Sequence, residues 1–563
     1  MKVVLCSLNS QYIHSSLAPW CLLAGVKAYC PPTVQAVVVE GTVNEPKEAV
    51  FDRVLQEQPE VVGFSTYIWN VTTVFALAKA VRKALPQVKI VLGGPEVGYR
   101  PENVLQTLPE ADAVLSGEGE YPFAAFLLSL LTGTPWEQVP ALSFRTENGV
   151  HIAAPYLPKE DPVSPYSEEY CKALHGRIAY LETSRGCPYS CAFCLSGRCG
   201  TVRFFDLETT KANLLRLASS GAKTIKLVDR TFNANRARAY ELISFITEHY
   251  GKEIPQGVCF HFEIAGDILD DRLLSCLANV PKGAVQLEIG LQSFCEKTLA
   301  AVHRKTDLQR LERNIRALIA PRNIHIHIDL IAGLPFEDAK TFAESFNRAY
   351  ALSPDMLQFG FLKLLYGAPM REEPEEYPCT FCDAPPYEVT STPWLSKEDL
   401  QMLHETEDAF DRIYNSGRFR RTTAYVLQTC GKTPFSLFSG FAEWKKAHEP
   451  CDIKSLDAFT GALFSYFASL PNVDARVLRD KMVCDRLATN SSGVLPEVLR
   501  VPDKNLKTYR AALFNNPTTC APAHTKRSVA ILYSENRLVY VDYIVPDPVT
   551  GEYKLNFVSF DTL

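Results

Sequence analysis

The chain has 563 residues, of which 47% are hydrophobic, 22% charged and 11% aromatic, with a formal net charge of −6. That balance excludes a disordered chain, a collagen-like chain and a coiled coil, and at ~100–200 residues per domain it predicts about three or four domains. No apolar run approaches the ~18 residues of a membrane span, and the opening MKVVLCSLNSQYIH turns polar too early for a secretion signal, so a cytoplasmic chain is expected and its acidic total does not indicate nucleic acid.

Residues 1–140 alternate near-continuously apolar strands (KVVLCSLNS, VQAVVVEG, EVVGFSTYIWN, KIVLGGPE, ADAVLSGEGE) with helix-like stretches at 15–29, 46–57 and 71–85. Such strands suit a parallel sheet covered on both faces, so a doubly wound, Rossmann-like α/β domain is predicted. Small residues gather at the strand ends: Ser10, Ser65, Gly93, Gly94, Gly117 and Gly119. In this architecture a ligand lies outside the carboxyl ends of the strands; the competing reading is that these glycines only make tight turns. Residues 141–176 read as a β-hairpin turning at Asn148-Gly149, followed by a proline-rich linker.

A second α/β run fills 177–371. Its six strands (RIAYLETSRG, TIKLVDRTFN, GVCFHFEIAGD, AVQLEIGLQS, IHIHIDLIAGLP, MLQFGFLKLL) are separated by helical stretches such as 206–219, 237–249 and 304–320. This predicts a partial (β/α)6 barrel with function at the C-terminal strand ends. Asp229, Glu263, Glu288, Gln292 and Asp329 interrupt apolar strands, and a charge facing a barrel interior is costly unless paired or ligand-bound. Just after the first strand, ETSRGCPYSCAFCLSGR places Cys187, Cys191 and Cys194 in C-x3-C-x2-C. Three thiolates on one short loop suit a corner of an iron–sulfur cluster, whereas a structural zinc site wants four closed ligands. Cys199 lies nearby and is read as structural or incidental.

Beyond 372 the pattern becomes mostly helical, with helices expected at 397–415 and 454–490 and a small antiparallel sheet in SVAILYSENRLVYVDYIV and YKLNFVSF. Cys379 and Cys382 form a C-x2-C pair, readable as a redox pair, half a metal site or incidental loop cysteines. Arg412, Arg418, Arg420 and Arg421 lie near aromatics, which suits either phosphate or RNA contact or a solvated helix end. The extension 372–563 is expected to shape a substrate pocket.

The cysteine segment, with Phe193 directly before the third cysteine, resembles the signature of the radical S-adenosylmethionine superfamily. The resemblance implies a [4Fe-4S] cluster on Cys187, Cys191 and Cys194. Its open iron would bind the amino and carboxylate groups of S-adenosylmethionine, which an electron then splits to methionine and a 5′-deoxyadenosyl radical. LEIGLQS and DLIAGLP resemble strand segments that line the S-adenosylmethionine pocket. Phe193, Asp229, Glu263, Glu288, Gly290, Gln292, Asp329 and Gly333 are the implied contacts.

A doubly wound domain ahead of such a barrel resembles the cobalamin-binding branch of that superfamily, on GFSTYIWN, VLGGPEVGYRPE and VLSGEGEYPFAAFL. Ser10, Gly63, Ser65, Gly93, Gly94, Gly117 and Glu118 would border the corrin or its nucleotide tail. The cobalt-ligating D-x-H-x-x-G pattern is missing from this domain, where His14 is the sole histidine before residue 150. Cys6, Cys21 and Cys30 do not match the extra cluster site of methylthiolating relatives, and Cys6 and Cys21 read as core. The implied activity is an anaerobic, cobalamin-dependent methyl transfer to an unactivated carbon, served by an electron donor such as flavodoxin or ferredoxin. A non-methylating radical cyclase or rearrangement enzyme, and a cobalamin or iron–sulfur sensor without turnover, are the alternatives.

Overall fold

A strand buried at every position but its first must be covered on both faces, and β1 (Lys2–Asn9) is such a strand. The computed structural model describes all residues except 199, 449–452, 516–524, 526–527 and 563. It sets β1 in a seven-stranded sheet with β2 (Gln35–Thr42), β3 (Val61–Ser65), β4 (Lys89–Gly93), β5 (Ala113–Leu115), β6 (Leu142–Thr146) and β7 (Gly149–His151), ordered β2-β1-β3-β4-β5-β6-β7. The first five run parallel, and β6 and β7 join antiparallel as the predicted hairpin.

On one face Val4, Cys6 and Leu8 share a core with Val50, Val54, Val74, Leu77 and Val81 from the helices Lys47–Gln56 and Val71–Ala84. Each fully buried aliphatic side chain contributes about 1.5–3 kcal/mol. On the other face a Cβ at Gly63 would stand 3.2 Å from the Phe123 ring and 3.3 Å from Leu5, so this glycine lets the helix Glu120–Thr132 pack down. Cys6 and Cys21 are buried as expected, and burial pushes the Cys6 thiol up to about 12.

The chain divides into two compact units: Met1–Glu288 with Leu299–Asp307 and Phe361–Pro393, and Ile289–Thr298 with Leu308–Gly360 and Trp394–Leu563. The first adds β8 (Ala179–Leu181), β9 (Ser184–Gly186), β10 (Val202–Phe204), β11 (Thr224–Leu227) and β12 (Cys259–Ile264). β13 (Val285–Gln292) is cut by the boundary, and β14 (His325–Ala332) and β15 (Met356–Phe361) follow it. All six predicted barrel strands are present, in the order β8-β11-β12-β13-β14-β15. The pairs β8–β11 and β11–β12 are parallel. A short antiparallel pair, β16 (Thr380–Phe381) and β17 (Val389–Ser391), lies between Cys379 and Pro393.

In the second unit, Phe346, Phe410 and Phe438 pack edge to face at 4.8–6.2 Å and tie together the helices Ala339–Ala351, Lys397–Phe410 and Pro434–His448. The helix expected over 454–490 is two, Leu456–Ala468 and Ala475–Thr489. Pro471 and the left-handed Asn472 break it, and the Asp474 carboxylate recaps the second piece by accepting from the amides of Arg476 and Val477. The predicted terminal sheet is β18 (Ala530–Leu532), β19 (Arg537–Val541) and β20 (Leu555–Ser559).

The arginine group is not a phosphate surface. Arg421 donates to Asp485 at 3.1 Å and Glu552 at 2.9 Å, Arg420 pairs with Asp355 at 3.6 Å, and Arg412 lies over the Phe459 ring at 4.2 Å. Only Arg418 is exposed. Ion pairing within the unit absorbs the charge, which sequence proximity could not reveal.

Glu337 is fully buried and accepts from the Ser293 hydroxyl at 2.5 Å and the Ser345 hydroxyl at 3.2 Å; burial raises its pKa to about 7 despite these donors. The folded state thus favours the neutral acid. Its stabilising contribution is complete below the ordinary carboxylate range and is lost as pH rises through about 7. Urea midpoints of the wild type should fall between pH 5 and pH 8, and Glu337→Gln, neutral at both, should fall by less. Equal falls in the two proteins would refute this.

Candidate active site

β9 and β10 pair antiparallel, Gly186 opposite Val202, and hold the cysteine loop between them. After the cysteines a 3-10 turn at Leu195–Arg198 and β10, which returns to pair with β9, precede the helix Leu207–Ala218, where the sequence expects one over 206–219. Gly186 has φ +102°, and a Cβ there would come within 2.1 Å of the Thr201 carbonyl oxygen, so only glycine closes the hairpin. Cys187 and Cys191 are buried and Cys194 is half-buried. The loop is stitched to its surroundings through Ala192, whose amide donates to the Val302 carbonyl and whose carbonyl accepts from Met370, both at 3.0 Å. Arg198 pairs with Glu372. Cys199 lies outside the described residues.

Among the described residues two side chains reach the thiols. Arg304 donates to Cys191 Sγ at 3.8 Å, and Thr231 Oγ1 lies 3.5 Å from Cys187 Sγ. Burial raises the Cys191 pKa, and Arg304 opposes it. Among the described residues no three His, Cys, Asp or Glu side chains converge on a single metal ion. A four-iron cluster takes its thiolates at separate corners, so its ligands stand farther apart than those of one ion. The donor set of three thiols on one loop, with a cation beside one of them, fits such a cluster.

The implied S-adenosylmethionine contacts have different surroundings. Asp229 is buried and accepts from the Thr183 amide at 2.8 Å, the Thr183 hydroxyl at 2.5 Å and the Ser184 amide at 3.1 Å, which fixes the chain just ahead of Cys187. Burial raises its pKa against those donors. Glu263 and Glu288 meet at Lys226, 3.6 and 3.0 Å from its Nζ, and Glu288 lies 2.7 Å from His261 Nε2. Lys226 is in register with Tyr180 on β8 and His261 on β12, so these side chains form one polar row inside the barrel. Phe193 is half-buried. In the second unit Asp329 lies 3.0 Å from His327, Gln292 holds φ +71° at the end of β13, and Gly333 has φ +95°. Gly290 sits inside β13, two residues before Gln292.

At the carboxyl edge of the seven-stranded sheet, Ser10 follows β1, and Ser65 and Gly93 end β3 and β4 as register partners. A Cβ at Gly93 would find its nearest atom, the Leu115 carbonyl oxygen, at 3.9 Å. Gly94 (φ +108°) and Gly117 (φ +87°) have turn reasons of their own: a Cβ would stand 2.4 Å from the Thr66 oxygen and 2.6 Å from the Tyr156 oxygen. Beside them Trp69 is exposed, stacks on Tyr67 at 4.4 Å with rings 5° from parallel, and is fixed by its indole N–H to the Leu8 carbonyl at 3.0 Å. An open strand tip next to a flat, preset aromatic face fits a planar macrocycle. His14 is turned toward the barrel, its Nδ1 2.7 Å from the Tyr180 hydroxyl.

Glu118 joins this edge to the cysteine loop. It pairs with Arg185, and it accepts from Arg203 at 2.8 and 3.0 Å; Arg185 also reaches Glu120 at 2.6 Å and Glu182 at 2.8 Å. Burial works against the Arg185 charge, but Glu182 and Glu120 outweigh it and hold its pKa well above the ordinary range. Arg304, Thr231, Trp69, Lys226 and Arg185 escape a motif reading because each has a partner distant in the chain, such as Cys191 for Arg304 at 113 residues, Leu8 for Trp69 and Glu118 for Arg185. Cys379 is half-buried and Cys382 exposed, at the ends of β16.

Three family models match the chain: B12 binding domain over residues 16–127, Radical SAM superfamily over 181–349, and protein of unknown function (DUF4080) over 375–527. The chain is similar to the cobalamin-dependent radical SAM methyltransferase TokK of Streptomyces tokunonensis, 30% identical over 406 residues that cover 68% of this chain and 59% of that one. It is 29% identical over 312 residues to 2-(S-pantetheinyl)-carbapenam-3-carboxylate methyltransferase of Streptantibioticus cattleyicolor, covering 51% of this chain and 44% of that one. The match thus spans about half the length of these two relatives. In fold it is similar to the cobalamin-dependent S-adenosylmethionine radical enzyme OxsB with aqua-cobalamin and S-adenosylmethionine bound, at TM-score 0.58 and 15% identity over 86% of this chain and 78% of that one.

Proposed function

We propose, from the premise that this chain belongs to the radical S-adenosylmethionine proteins carrying a B12-binding domain, that it is a cobalamin-dependent methyltransferase acting on an unactivated carbon. The observation that carries the reading is Glu118: it leaves the carboxyl edge of the doubly wound sheet and binds the two arginines of the hairpin that holds Cys187, Cys191 and Cys194. One ionic joint therefore ties the carboxyl edge of the doubly wound sheet to the thiol loop. The bound groups bring reductive cleavage of S-adenosylmethionine and methyl transfer; the chain's task is placement.

Cys187, Cys191 and Cys194 would hold three irons. Trp69, Gly93 and Ser65 would take the corrin, with Ser10, Gly94, Gly117 and Glu118 shaping that edge; Gly63, expected there from the sequence, lies inside β3 under the Phe123 ring and serves helix packing instead. Phe193, Asp229, Glu263, Glu288, Gly290, Gln292, Asp329 and Gly333 are the proposed S-adenosylmethionine side of the barrel, where Lys226 keeps Glu263 and Glu288 from repelling each other. We read 1–140 as the cobalamin domain, 141–176 as hairpin and linker, 177–371 as the barrel and 372–563 as the part that shapes the substrate pocket. Holding the reacting groups together in this way contributes on the order of 7–11 kcal/mol to a barrier. No helix among the described residues is long and apolar enough to cross a membrane; a small electron-carrier protein, flavodoxin or ferredoxin in type, is the proposed electron donor.

The test is anaerobic reconstitution with iron, sulfide and cobalamin, followed by labelled S-adenosylmethionine and a strong reductant. Release of 5′-deoxyadenosine is expected, and a product heavier by one methyl group separates methylation from ring closure. No deoxyadenosine with any reductant would sink the reading.

A further inference from the structure

The segment Leu299–Asp307 gives Arg304 a place at the thiol loop that no local pattern requires. Val302 is fully buried and its carbonyl accepts from the Ala192 amide at 3.0 Å, in the middle of the C-x3-C-x2-C run. His303 then adopts φ +56°, an uncommon region for a residue with a Cβ, and reverses the chain. The Arg304 amide donates back to Leu299 at 2.8 Å, and Asp307 is tied by its amide to the Asp267 carboxylate at 3.2 Å. The guanidinium is thereby delivered to Cys191 Sγ at 3.8 Å and over the Tyr189 ring at 5.1 Å, between the first two cysteines.

We propose that Arg304 is a positioning residue that sets the reduction potential of the iron–sulfur group held by this loop, by donating an N–H to the Cys191 sulfur. A hydrogen bond to a ligating thiolate withdraws electron density, and a fixed positive charge beside it favours the form of the cluster that has gained an electron; both raise the potential. The aromatic face of Tyr189 and the backbone bond through Val302 keep the guanidinium from swinging to solvent. Arg198, on the same loop, pairs instead with Glu372 and is half-exposed. The inference rests on the reading that the loop holds a cluster.

The experiment is a redox titration, followed by electron paramagnetic resonance, of anaerobically reconstituted full-length protein with iron and sulfide counted per chain. Arg304→Met keeps the apolar stem and removes donor and charge. At a fixed donor potential its reduced-to-oxidised ratio should fall about tenfold, which is about 59 mV for one electron. Arg304→Lys should recover most of the shift, and Arg198→Met should leave the potential where it is. If Arg304→Met assembles poorly, Arg304→Gln gives the same titration and should also lie below wild type. A fully loaded Arg304→Met or Arg304→Gln variant at the wild-type potential would overturn the proposal, as would an equal shift in Arg198→Met. A wild-type protein that takes up no iron and sulfide would instead overturn the functional reading beneath it.

Discussion

Cys191→Ala should abolish cluster assembly and S-adenosylmethionine cleavage while leaving cobalamin uptake intact. The thiol is one of three on the loop and cannot be replaced by its neighbours, whose backbone is already committed: Cys194 donates its amide to the Cys191 carbonyl at 3.1 Å, and Ala192 is bonded on both sides. Changes outside the ligand set of a metal site cost about 10–100-fold, so losing a ligand should take cleavage to background. The fold should survive, because the loop is anchored through Ala192 and through the β9–β10 pairing rather than through the Cys191 side chain. Iron and sulfide counts, the visible spectrum and deoxyadenosine release check this together. A variant that keeps full cluster absorbance would place the ligand elsewhere. Loss of corrinoid absorbance along with the cluster would mean that the doubly wound edge is not an independent binding surface.

Arg185→Met should be the most destabilising single change near the site. The guanidinium serves Glu118, Glu120 and Glu182 at once, and its removal leaves three partly buried carboxylates of which Glu118 keeps Arg203. Breaking a buried ion pair from one side costs about 3–5 kcal/mol. Roughly a fifth of the Arg185 side chain still meets water, so a value near 3 kcal/mol is expected, read as a lower urea midpoint. The deficit should shrink as pH falls, since protonation relieves the stranded carboxylates. Arg185→Lys, which keeps the charge but not the planar fork, should lie between. An unchanged midpoint in Arg185→Met would refute the joint on which the proposed function leans.

The strands of the two large sheets are legible in the sequence because their period is local: VVLCSL announces a strand covered on both faces and LEIGLQ one that alternates, without reference to anything else. The helix break at Pro471 was equally local, written in Leu470-Pro471-Asn472 and the capping Asp474. The arginines at 412–421 leave two readings open in the sequence for the opposite reason, since Asp355, Asp485 and Glu552, which neutralise Arg420 and Arg421, lie tens of residues or more away in the chain.

The same division runs through the site. The sequence alone determined the three cysteines, their spacing and the two kinds of α/β domain, because a tripod of thiolates on one loop needs only neighbours along the chain. Tertiary structure alone decided that Arg304 reaches Cys191, that Glu118 binds the hairpin arginines and that Trp69 offers its face at a strand tip. These depend on where separate strands and loops come to rest. A side chain's partner is chosen by the folded surface around it, and charge or ring stacking leaves no periodic trace in the chain that supplies it.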